Sequence, residues 1–151
     1  LYVLCETNSA LFYKYIPYLG FIITLASAYR LAKFNIDERQ TSSFIGLATP
    51  ANAIFWVGLS VCYNNLLLQF PIWAILTLVI VFSFLLICEL PMFSLKFHNF
   101  KWKENSIRYI FIIGTIILGI LFQINALPVI ILWYILLSIV DFLISLKQKH
   151  N

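Results

Sequence analysis

The residues best equipped for chemistry lie between Ser27 and Pro50, in the stretch SAYRLAKFNIDERQTSSFIGLATP. Charge, amide, hydroxyl and glycine gather there, between segments apolar and long enough to cross a bilayer. Arg30 and Lys33 are three residues apart, so a helix carries them on one face. Arginine offers a forked donor set suited to phosphate, and lysine a mobile point charge. Asn35 adds an amide to the same entrance. By themselves Arg30, Lys33 and Asn35 indicate a polar cytoplasmic pocket, placed with Arg39 where a membrane helix would reach water. A junction at that depth can hold a lipid phosphate or a phosphorylated headgroup. The plainer reading is that these cations only orient membrane helices.

Other chemistry is sparse. No glycine-rich phosphate loop, HExxH or GxSxG motif is present. Cys5, Cys62 and Cys88 lie far apart, without CxxC or Cys/His spacing, and read as small apolar side chains. His98 and His150 stand in basic stretches without a triad or metal partner and read as solvated. Asp141 is the one acid well inside an apolar run, a position that in a membrane points to function. Pairing with Lys147, or snorkelling toward the same interface, is the structural alternative for it.

These residues need elements to hold them. Hydrophobic residues make up 62% of the 151 and charged residues 11%, against about 25% charged in soluble domains. The fold class expected is all-α, a polytopic transmembrane bundle of about five spanning helices. The sequence predicts them near Phe12–Phe34, Pro50–Leu68, Pro71–Cys88, Ile107–Gln123 and Leu127–Leu146, with Thr49 capping the second. Between the third and fourth, lysines 96, 101 and 103 alternate with Phe97, Phe100 and Trp102, which suits a segment lying in the membrane interface.

Of the ten basic residues, only Lys14 falls on the opposite side of this pattern from the rest. The positive-inside bias then puts the charged loops and the C-terminus in the cytoplasm. Net charge is only +4 and forms no basic stripe, so anionic membrane lipids are expected partners and nucleic acid is not. The opening LYVLC, without an initiator Met, reads as the tail of an earlier apolar run. The chain is thus expected to be the C-terminal part of a longer protein.

Two segments carry a family resemblance. SAYRLAKFN followed by FIGLATPANA resembles the RLARFN…FxGLPxPAAA pattern of bacterial CDP-diacylglycerol–serine O-phosphatidyltransferases, members of the CDP-alcohol phosphatidyltransferase family. ELPMFSLKFHNFKWKENSIRYIF is similar to that family's second cytoplasmic loop, and together the segments cover about half the chain. Lys33 stands where the family has Arg, Ala48 where it has Pro, and Asn52 where it has Ala.

The resemblance implies a bacterial inner-membrane enzyme of phospholipid biosynthesis. Its substrates would be CDP-diacylglycerol and L-serine, with Arg30, Lys33 and Asn35 as substrate-binding residues on the acceptor or phosphate side, and its products phosphatidylserine and CMP. It further implies a homodimer packed through membrane helices, while Gly20, Gly114 and Gly119 are small residues that permit close contacts between subunits or equally within one. The family's aspartate signature, which binds Mg²⁺ or Mn²⁺ and the lipid nucleotide, is absent here and would precede Leu1. Residues 1–151 accordingly supply no catalytic or metal-binding residue and should be inactive alone. The alternatives are a sister enzyme using another acceptor, such as glycerol phosphate or inositol phosphate, and a non-catalytic transporter or scaffold segment.

Overall fold

The computed structural model describes residues 15–36, 44–63, 69–95, 97 and 102–150. Lys14, Asp37, Glu38, Arg39, Lys96, His98 and Lys101, along with Cys5, lie outside them, as do the side chains of Lys103, Lys149 and His150.

The chain is mostly helical. A 3₁₀ turn, Ile16–Gly20, leads into α1 (Phe21–Ile36), and Pro17 sits in that turn where no N–H is required. A two-residue strand, β1 (Phe44–Ile45), precedes α2 (Thr49–Cys62). Then come α3 (Ile72–Ile87), β2 (Pro91–Met92), α4 (Trp102–Phe122) and, after a 3₁₀ turn at Gln123–Asn125, α5 (Ala126–His150).

Helix directions can be read from the contacts. Ile16 packs on Ile72 and Leu76, while Lys33 reaches Glu89, so α1 and α3 run parallel. Gly58 of α2 faces Leu127 and Pro128, and Phe55 clusters with Ile131, so α2 and α5 are antiparallel. Gly114 of α4 lies against Trp133 and Phe111 against Tyr134, which makes α4 and α5 antiparallel too. A Cβ at Gly114 would come within 2.5 Å of the Trp133 indole nitrogen. Its smallness is thus used inside the chain. Gly119 instead faces open space.

The core lies where Phe55, Phe82, Leu47, Met92, Ile131 and Ile135 meet, with the rings of Phe55 and Phe82 stacked 4.0 Å apart. Outside it, large apolar side chains are exposed along the helices, among them Leu25, Val61, Phe84, Ile120 and Leu121. Soluble monomers rarely show apolar patches beyond a few hundred Å². The stretch Asn105–Lys147 is long and apolar enough to cross a membrane, with a mean hydropathy of 2.5 in its most apolar window. Only 22% of that window is buried, which a soluble core helix would not tolerate. It is not one straight rod. Gln123 takes φ +50° and the chain folds back on itself there.

Several boundaries differ from expectation. α2 and α3, of 14 and 16 residues, rise about 21 and 24 Å, less than the roughly 30 Å of a hydrocarbon core. Thr49 is not the cap of α2. Ala48 precedes the helix in extended conformation, Thr49 is the first helical residue, and its hydroxyl is buried without a partner. Pro50 is tolerated one position later because the first N–H groups of a helix have no internal acceptor. Most of the lysine–aromatic segment expected in the interface lies outside the described residues; just before it, Phe93 and Ser94 are buried. Their carbonyls accept hydrogen bonds from Tyr134 and Arg108 respectively.

Candidate functional site

The two short strands join the loops that follow α1 and α3. Phe44 pairs with Met92 and Ile45 with Pro91, antiparallel. The chain then turns through Gly46 at φ +73°, a conformation open to glycine without penalty. The turn caps α3. The Leu47 N–H donates to the Leu85 carbonyl at 2.8 Å, satisfying one of the acceptors that a helix end leaves open. The Gly46 N–H donates to the Leu90 carbonyl at 2.8 Å. A Cβ on Gly46 would lie 2.8 to 3.1 Å from the carbonyl oxygens of Leu86, Cys88 and Leu85, so no larger residue fits.

Arg30 comes to this turn from α1. It is 7% exposed, and its terminal nitrogen donates to the Gly46 carbonyl at 3.4 Å, the long limit of a hydrogen bond. Its Nε is buried without a partner, and no carboxylate pairs with it among the described residues. Proximity to the negative end of α3 offsets part of the cost of burying the charge. A guanidinium carries five donors, and a buried one is stable only when well supplied with acceptors. This one is under-supplied.

Lys33, one turn on, forms an ion pair with Glu89 at 2.9 Å just beyond the end of α3. The structure therefore brings Arg30 and Lys33 to one face, as their spacing predicts. Asn35 is exposed in the last turn of α1, at a different angle around the helix. It does not join the other two at the turn.

Sequence reasoning passed over the residues that build the other half of this end. Arg108 donates from Nε to the Ser94 carbonyl and from a terminal nitrogen to Asn105 Oδ1, both at 2.7 Å. Asn105 is non-helical (φ −124°, ψ 16°) and divides α4, so Arg108 sits three residues into the straight apolar part. An Asn immediately before an apolar run was a helix-start signal available in the sequence. Tyr134 donates to the Phe93 carbonyl at 3.0 Å, and Phe93, Phe111 and Tyr134 meet edge to face. Asn52 is buried and accepts a bond from Trp56 Nε1 at 3.1 Å. The extra amide is thus absorbed within α2.

Beside the β1–β2 pairing lies an apolar cavity of about 480 Å³, lined by Phe44, Ala51, Phe93, Phe111, Ile131 and Tyr134 among others. Its size and lining suit part of an acyl chain. Among the described residues no three of His, Cys, Asp and Glu come together to hold a metal ion. Neither a family model nor a curated protein matches the chain.

Proposed function

We propose that this chain belongs to a CDP-alcohol phosphatidyltransferase and that the enzyme transfers a phosphatidyl group from CDP-diacylglycerol to L-serine. One observation carries the reading. The segments that resemble the family, SAYRLAKFN, FIGLATPANA and ELPMF, converge in space through the Arg30–Gly46 bond and the β1–β2 pairing. Motifs far apart in sequence thereby become the wall of one site.

In this reading α1 to α5 cross the bacterial inner membrane, with the end bearing Arg30, Lys33 and Arg108 facing the cytoplasm. The short helices α1, α2 and α3, of 16, 14 and 16 residues, are accommodated by local thinning of the bilayer, at a fraction of a kcal/mol per Å. A homodimer through the membrane helices goes with the same resemblance, and the open side of Gly119 allows a close approach.

The serine hydroxyl oxygen attacks the phosphorus that carries the diacylglycerol, and the bond from that phosphorus to the CMP oxygen breaks. The hydroxyl proton passes to a base, and CMP leaves with the bonding electrons. Charge builds on the phosphoryl oxygens, where a buried guanidinium with unfilled donors acts most strongly. Arg30 supplies that group, and Lys33, released from Glu89, a second cation. The aspartates and the Mg²⁺ or Mn²⁺ that the family uses would lie outside these 151 residues.

The test is CMP release by the full-length protein in membranes, given CDP-diacylglycerol and Mg²⁺ or Mn²⁺, with and without L-serine. Serine-dependent release supports the proposal. Release driven by a different alcohol keeps the family and changes the acceptor, and no release with any acceptor overturns the enzyme reading.

A further inference from the structure

A cavity of about 570 Å³ lies at the end of the bundle away from Arg30, between α2, α3 and α5. Phe55 and Ile75 are buried at its floor, whereas Phe70, Thr77 and Leu132 are exposed at its rim. It is therefore a cleft, and its walls are held apart from outside. Gly58 brings α2 against Leu127 and Pro128 of α5, and the Tyr63 hydroxyl donates to the Asn125 carbonyl at 3.0 Å, so these two walls are tied together. The third wall, α3, is held from its far side, where Leu76 packs on Ile16. The stacked rings of Phe55 and Phe82 set the spacing between α2 and α3. About two turns further toward the open end, Ala74 offers only a methyl group across that spacing. The space stays unfilled there.

The lining says what fits. Among its described residues none is charged, and its two hydroxyls, on Tyr63 and Thr77, already donate to the carbonyls of Asn125 and Trp73. Water finds too few partners in such a place, and empty space forfeits the dispersion contacts of the walls. Hydrocarbon satisfies both. The rim is continuous with Val61, Trp73 and Leu132, large exposed side chains that meet lipid tails if the helices span a bilayer. Tyr63 and Trp73 stand at the ends of α2 and α3, where aromatic rings mark the headgroup boundary.

We propose that this cleft holds one acyl chain of a membrane phospholipid from the leaflet opposite the Arg30 end. The chain enters beside Tyr63 and Phe70, with its tail toward Phe55. From Ala74 to Leu85, whose carbonyl meets the Gly46 turn, α3 rises about 16 Å, so this lipid is not the one reacting beside Arg30. The inference rests on the reading that the helices span the membrane and is independent of the transfer reading.

Photolabelling tests it, with full-length protein in phosphatidylethanolamine vesicles that carry a fraction of the same lipid with a diazirine midway along one acyl chain. Labelled residues are mapped by peptide mass spectrometry. Ile75 and Leu76 are adjacent and equally buried, but only Ile75 faces the cleft. Label is expected on Ile75 and Leu59 and not on Leu76, and exposed Ile120 reports ordinary contact with the bilayer. Ala74→Phe, or Val129→Phe from the opposite wall, fills the cleft and should remove the label from Ile75 and Leu59 while Ile120 keeps it. Labelled Ile120 with unlabelled Ile75 and Leu59 would overturn the inference and leave the membrane placement standing, as when another protein segment fills the cleft. Equal label on Ile75 and Leu76 would also overturn it. No label on any of the four would overturn the membrane placement and this inference together.

Discussion

Arg30 and Arg108 sit at the same end of the helices, and the structure treats them in opposite ways. Arg108 makes two short bonds of 2.7 Å that tie α4 to the segment after β2. Arg30 is the more deeply buried, yet it makes one bond at 3.4 Å and leaves Nε without an acceptor. A cation that holds a fold together saturates its donors on backbone and amide oxygens. One whose donors stay open stores capacity for an anion that arrives later. Burial alone would have ranked the two wrongly for structural importance.

Substitutions can break or sharpen that contrast. The largest loss of stability is expected at the turn beneath Arg30, where Gly46→Val combines a positive φ with collision against backbone carbonyls. Its cost should be about 3 kcal/mol or more, read as loss of the monodisperse folded peak in size-exclusion chromatography of the detergent-solubilised protein. Gly46→Ala should fail in the same direction, because even its single methyl meets the Leu86 carbonyl at 2.8 Å.

Next comes the structural arginine. Arg108→Gln leaves the Ser94 carbonyl short of its donor, at a cost of about 2 kcal/mol, visible as a clear drop in melting temperature. A melting temperature equal to wild type would erase the distinction between the arginines. Tyr134→Phe should cost about 1 kcal/mol, since it removes the bond to Phe93 but keeps the ring cluster. The smallest effect belongs to the ion pair. Lys33→Gln or Glu89→Gln should shift stability by under about 0.5 kcal/mol, because Glu89 is 64% exposed and water competes for both charges. In the transfer reading Lys33→Gln nevertheless slows CMP release and Glu89→Gln does not, a split that thermal melts and rate measurements together reveal.

Much of this architecture was legible in the sequence because long apolar runs, prolines and loop charges are strong local signals. The chain is mostly helical, as its apolar runs imply, although only Asn105–Lys147 is long and apolar enough to cross a membrane among the described residues. The common face of Arg30 and Lys33 follows from helical spacing. The β1–β2 pairing was not legible. Two residues per strand leave no alternation to detect, and the partners are brought together only when α1 and α3 pack in parallel. The cap of α2 was misassigned because proline is tolerated within the first turn as well as at its first residue, so Pro50 does not by itself mark where the helix opens. Asn35 was grouped with Arg30 by nearness along the chain, whereas angle around the helix decides which side chains share a site. That Arg108 and Asp141 line one cavity depends on the backward fold at Gln123, which no motif announces.

The most direct test of the contrast is to substitute the open arginine alone. Full-length protein carrying Arg30→Gln would be compared with wild type in membranes, for melting temperature and for L-serine-dependent CMP release from CDP-diacylglycerol. The account predicts a melting temperature within a few degrees of wild type and a fall in release of about a hundredfold. Undiminished release would contradict it. So would a drop in melting temperature as large as that expected of Arg108→Gln, with full specific activity in the protein that stays folded.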